Sequence, residues 1–142
     1  MRAAPGRRRA AALREERGAA AVEFALVMTI LFLLLFGILE WGRVEAEITI
    51  FEGAAREGAR RAAVGEPYED VVAAVQNHSN PFAPTPPISV AVADTAENTC
   101  SGTDTVGKEV TVSWSQSFSV SIPLWKDVSF SRAIQGVFRC ER

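Results

Sequence analysis

Residues 18–64 read GAAAVEFALVMTILFLLLFGILEWGRVEAEITIFEGAAREGARRAAV. A run of small residues leads to one carboxylate, Glu23, and the sixteen positions from 24 to 39 then carry no charge. After Trp41 the chain turns polar yet keeps a pattern. Trp41, Val44, Ile48, Phe51, Ala55, Ala59 and Ala62 recur at steps of three and four, which is one stripe of a helix. The stretch therefore predicts a transmembrane helix over 19–41 that continues as an amphipathic stalk helix over 42–65. Around that axis the 142 residues leave a basic leader, 1–18, and a small domain, 66–142.

A secretory signal, a buried core helix and a membrane span can all contain an apolar run of this kind. Positions 24–39 alone fall slightly short of the ~20 residues a span needs. Adding 19–22 makes up the length and places Glu23 in the membrane. A signal would end in small residues at a cleavage site. Here the run ends LEWGRVEAE, with bulky Leu39 and Trp41. The helix is therefore read as retained, with Trp41 as an interfacial anchor.

Charge sets the orientation. Residues 1–18 hold six arginines against two glutamates, and the remainder holds nine basic against fifteen acidic residues. The positive-inside rule then puts the N-terminus in the cytoplasm and 66–142 outside it, in a single-pass protein of the cell membrane. Arg7-Arg8 lies too far from the apolar run for a twin-arginine signal. No basic patch carries interleaved aromatics, so nucleic acid is not an expected partner.

Glu23 is the costly residue. An ionised side chain in hydrocarbon costs roughly 2.5–3.5 kcal/mol on insertion scales. Either Glu23 sits at headgroup level with the span starting at Phe24, or it has a partner. A cut between Gly18 and Ala19 would supply one. The new ammonium would lie four residues, about one helical turn, from the carboxylate.

Basic leader, Gly18, a cut before Ala19, then Glu23 and Phe24 opening an apolar helix: this pattern resembles a type IV prepilin. With AREGAR at 55–60, residues 17–64 resemble the TadE-like family, the minor pseudopilins of Flp/Tad pili. Phe24 stands where the Flp-type cleavage motif has tyrosine. The resemblance implies leader processing at Gly18, Ala19, Glu23 and Phe24 by a prepilin peptidase. It also implies packing with other pilins, pseudopilins and the Tad assembly machinery, and a part in pilus assembly, adhesion and biofilm formation.

In the stalk, charges pair at i,i+4 as Arg43–Glu47, Glu52–Arg56 and Glu57–Arg61. Gly53, Ala54, Ala55, Gly58 and Ala59 flatten one surface. That surface either covers the chain's own domain, from Phe51 onward, or packs against other subunits through Gly53, Ala55, Gly58 and Ala59. The two glycines each weaken the helix by about 1 kcal/mol relative to alanine, so a break is open there. Gly65 stops the helix, and Pro67 opens a second one over 68–76.

Prolines make 77–87 a loop. Residues 88–93 alternate as a strand, and 94–107 form a polar turn region. From 110 to 122, Val110, Val112, Trp114, Gln116, Phe118, Val120 and Ile122 alternate with Ser and Thr. Thirteen residues exceed the usual strand, so a break or bulge is expected near Gln116, with Pro123 as the end. Residues 128–131 and 137–140 are candidate last strands. The fold class is α+β: a long N-terminal helix, pilin-like, with a small three- or four-stranded antiparallel sheet packed on its distal half. Outside the cytoplasm Cys100 and Cys140 are expected to form a disulfide, with two free thiols as the alternative.

Nothing in the chain assembles a catalytic group. His78, the one histidine, sits in a polar loop with no nucleophile beside it, and one His with two Cys falls short of a zinc site. No enzyme activity, cofactor, metal or small-molecule substrate is expected. Two functions remain: a structural pseudopilin cut after Gly18, or a single-pass anchored domain that binds an extracytoplasmic ligand without leader cleavage.

Overall fold

The computed structural model describes residues 6–122 and 126–141, with side chains from Gly18 onward. Its elements are α1 (Gly6–Ala63), α2 (Tyr68–His78), β1 (Ser89–Val92), β2 (Glu109–Val120) and β3 (Val128–Arg139). The chain divides into two compact units, Met1–Leu39 and Glu40–Arg142. This is an α+β protein, with a long apolar N-terminal helix and a three-stranded antiparallel sheet ordered β1-β2-β3. Pro123 and Arg142 lie outside the described residues, so the strand end expected at Pro123 is not described.

In the first unit the described side chains are nearly all exposed, the large apolar ones from Ile38 at 70% to Leu33 at 41%. The hydroxyl of Thr29 donates to the Ala25 carbonyl at 2.8 Å, so its polar group is satisfied inside the helix itself. The basic leader continues this helix from Gly6.

In the second unit α1 does the opposite. Val44, Ile48, Phe51, Ala54, Ala55, Ala59 and Ala62 are buried, so cover of the sheet begins at Val44, two turns before Phe51. Trp41 remains exposed. Phe51 is the hub: its ring lies 6.0 Å from Trp114, 6.1 Å from Phe118 and 6.2 Å from Phe82, the first two edge-on. Burying one such ring stabilises by about 1.5–3 kcal/mol. The alanines let backbone meet backbone. A Cβ on Gly136 of β3 would collide with the backbone of Ala55 and Arg56, so a residue with no side chain marks where helix and strand come closest.

The helix ends in a Schellman motif. Gly65, at φ 85°, donates from its N–H to Ala62 O at 3.1 Å, and Glu66 N–H donates to Arg61 O at 3.2 Å. Ala62 O also accepts the N–H of Cys100 at 2.9 Å. Cys100 is bonded to Cys140 across 40 residues, with Cα atoms 5.5 Å apart. The disulfide thereby ties the helix end to the segment after β3.

Four sequence expectations change. No break occurs at Gly53 or Gly58, and α1 runs on to Ala63, because both glycines meet α2: Gly53 faces the His78 ring and Gly58 faces Val75. No bulge occurs near Gln116, where the register runs on as Gln116↔Arg132. The buried Gln116 Oε1 accepts from Thr85 N–H at 2.8 Å and from Trp114 Nε1–H at 3.1 Å, so the polar side chain is satisfied in place. The two candidate last strands are one, β3, paired with β2 from Val128 to Arg139. Glu52 pairs with Arg132 of β3 at 3.0 Å rather than with Arg56, because α1 lies against that strand. The second helix also runs two residues further than 68–76, and β1 is two residues shorter than 88–93.

Candidate functional site

Gly18, Ala19, Glu23 and Phe24 lie on consecutive turns of α1, all exposed. Ala19 and Glu23 share a face, being four residues apart. A Cβ on Gly18 would meet nothing within 4 Å. Among the described residues no packing demands glycine there. Glu23 makes no ion pair among the described side chains.

The surface that follows is apolar all round. Phe24, Leu26, Val27, Ile30, Leu31, Phe32, Leu34, Phe36, Ile38 and Leu39 are exposed on every side of the helix. A helix apolar around its whole circumference is matched by lipid or by other such helices and not by one domain face. It is the one described helix long and apolar enough to cross a membrane. Twelve Leu, Ile, Phe and Val residues lie between 24 and 39. At about 0.3–0.6 kcal/mol each they favour insertion by about 4–7 kcal/mol, which outweighs the ~2.5–3.5 kcal/mol that one buried carboxylate opposes.

The residues of the flattened stalk surface lie against their own unit. Ala55 meets Gly136, Gly58 meets Val75 and Val112, a Cβ on Gly53 would lie 3.6 Å from His78 Nε2, and Ala59 is fully buried. Sequence reasoning missed a clasp at the start of the second unit. Glu40 Oε1 accepts from Ser121 N–H at 3.0 Å and from Arg43 Nη2–H at 2.8 Å, and Arg43 also donates to Ser119 O at 2.9 Å. Arg43 is correspondingly closer to Glu40 than to Glu47, at 2.8 against 3.8 Å. The i,i+3 spacing of Glu40 and Arg43 was legible; the strand end they hold was not.

The other charged cluster is on the outer face of α1. Hydrogen bonds from Arg60, then Arg61, hold the Glu57 carboxyl down at about 2, far below the ordinary 4.5. Arg61 also reaches Glu66 at 3.3 Å. Every carboxylate here has a guanidinium partner, which is a structural arrangement and leaves no free base. Among the described residues no group of three or more His, Cys, Asp or Glu is placed to hold a metal.

Residues 18–60 match the family model described as TadE-like protein. The match covers Gly18 to Phe24, the apolar helix and most of the amphipathic stretch after it, and it points to a component related to Tad pili. No curated protein and no solved structure matches the chain.

Proposed function

We propose that this chain, TadE-like over residues 18–60, is a minor pseudopilin of a Tad/Flp pilus. It is inserted with its N-terminus in the cytoplasm and the second unit outside. A membrane prepilin peptidase cuts it between Gly18 and Ala19. The freed ammonium of Ala19, on this subunit or on a neighbour, neutralises Glu23 one helical turn away. Subunit packing with other pilins and the assembly machinery falls on Glu23 and the apolar helix, since Ala55, Gly58 and Ala59 are already buried in their own unit. The protein has a structural role in pilus assembly and surface adhesion, with no catalytic step.

One observation carries the reading. A single carboxylate, four residues after Ala19, opens a helix whose whole apolar circumference is exposed. Burying Glu23 carries a cost, and the cut supplies an amine at the spacing that offsets it.

Gly18→Arg tests this. Among the described residues the space around Gly18 is open, so the substitution meets none of them. The chain should stay in the membrane, keep its leader and disappear from the assembled pilus fraction. A leader retained in both wild type and variant, with masses differing only by the Gly-to-Arg change and assembly unaltered, would favour an anchored binding domain that is never cut.

A further inference from the structure

The two edges of the sheet are finished differently. Cys140 N–H donates to Lys108 O at 2.8 Å, and Ala93 N–H donates to Glu109 O at 2.8 Å. In an antiparallel ladder alternate residues turn both backbone groups to the same neighbour, so these two bonds set the phase. The even-numbered residues of β3 face β2, and Ser129, Ser131, Ala133, Gln135 and Val137 turn their N–H and C=O outward. On β1 the outward residues are Val90 and Val92.

The β1 edge is short and largely closed. Val92 N–H donates to Glu97 O at 3.1 Å, and Val92 O accepts from Thr95 Oγ1 at 3.1 Å. The carbonyl of Ile88, just before the strand, accepts from the Tyr68 hydroxyl at 2.9 Å. The β3 edge is long and open. Its outward residues from 129 to 137 are all exposed, and among the described residues no hydrogen bond takes up their backbone groups. The 12 residues of β3 hold no proline, lysine or bulge, which are common ways to keep an edge from pairing. The one charge inside the strand, Arg132, is held by Glu52.

We infer that the open edge of β3 receives an extended strand of a different protein, paired antiparallel through the backbone groups of residues 129–137. An extended polypeptide is the partner that offers donors and acceptors at this repeat. The flanks describe it further. On the face that meets α1, Val128, Phe130 and Phe138 are exposed, so the strand carries apolar residues at alternate positions. Asp127 and Arg139, at the two ends of β3, are exposed and make no ion pair among the described residues. An acidic residue opposite Arg139 and a basic one opposite Asp127 complement them. At Gly136 the backbone of Ala55 closes on the sheet, so the residue beside Gly136 is small. A second copy of β3 fails at that point: with Asp127 set opposite Arg139, Phe130 falls opposite Gly136. The closed β1 edge keeps copies from joining head to tail.

The test reads amide hydrogen exchange by NMR on the full-length, oxidised chain in detergent micelles. In the free chain the N–H groups of 129, 131, 133, 135 and 137 should exchange fast, and those of 130, 132, 134 and 136 slowly. The probe is a synthetic peptide that spans 127–139, with valine opposite the even positions and threonine opposite the odd ones. It carries glutamate opposite Arg139, lysine opposite Asp127 and glycine opposite Gly136. Added peptide should slow the outward amides about tenfold or more. Methylating its threonine nitrogens, which face β3, should abolish the effect; methylating its valine nitrogens should leave it. Ala133→Pro removes an outward N–H and no bond to β2, so the fold should stand and the protection at 131 and 135 should fall. Outward amides that stay fast with peptide in excess, or equal protection by both methylated peptides, overturn the inference. Protection that appears without peptide and fades on dilution assigns the edge to a second copy and overturns it too.

Discussion

One helix serves two environments in this molecule. Between 24 and 39 its apolar residues are large and exposed on all sides, with Phe24 65% exposed. Between 44 and 62 they are mostly small and buried on one side, with Phe51, Ala54, Ala55, Ala59 and Ala62 fully covered. Backbone geometry is the same in both. What differs is where side-chain volume is placed. Bulk around the whole circumference suits a solvent of lipid, or helices like itself. Alanine along one stripe, with a single aromatic hub, suits a sheet brought to backbone contact. Helix propensity alone distinguishes neither stretch; the residues at steps of three and four do.

The sharpest way to break this comparison is to truncate a phenylalanine in each stretch. Phe51→Ala should cost about 3–5 kcal/mol of second-unit stability, because Trp114, Phe118 and Phe82 lose their common partner. Phe32→Ala should leave that stability unchanged. Denaturant midpoints of the full chain in detergent micelles, read by tryptophan fluorescence, measure both. Equal losses would mean that the two stretches share one core.

Reducing the Cys100–Cys140 bond comes next. It closes a 40-residue separation, and removing it should cost about 3–4 kcal/mol in the chain-entropy account. The loss should lower the same midpoint and leave membrane extraction unaltered, since the bond lies wholly in the second unit. A reduced chain that also leaves the membrane would contradict the division.

The smallest effect is electrostatic. Glu57 titrates near 2 in the folded chain against about 4.5 unperturbed. A depressed carboxyl contributes stability above the higher value and loses it as pH falls toward the lower one. The wild type should therefore exceed Glu57→Gln at neutral pH. The gap should shrink from pH 4.5 downward and be gone below about 2. Its size should stay within about 1 kcal/mol, because the Arg60 and Arg61 partners are largely exposed. Midpoints across pH for both chains give the curve.

Much of this architecture was legible in the sequence, for local reasons. The apolar run, the stripe beyond it, the stop at Gly65 and the period-2 pattern from Val110 to Val120 each depend on neighbours within a few positions. What escaped depended on partners far along the chain. Gln116 reads as a defect until Thr85 and Trp114 are seen to donate to it. Residues 128–131 and 137–140 read as separate strands, and only in the fold does the backbone of Ala55 explain the glycine at 136 between them. Glu52 has a plausible partner four residues away and takes one eighty residues away instead. The segment from Gly18 to Phe24 is different again. Gly18, Ala19, Glu23 and Phe24 were visible as a pattern, and the fold leaves them exposed and unpacked.

The most direct test of the account is the intact mass and N-terminal sequence of the protein recovered from its native membrane. The account predicts a chain that begins at Ala19, with the Glu23 carboxylate one turn from a free amine. A chain that still carries Arg14 to Gly18 would contradict prepilin-type processing and leave Glu23 without the partner assigned to it.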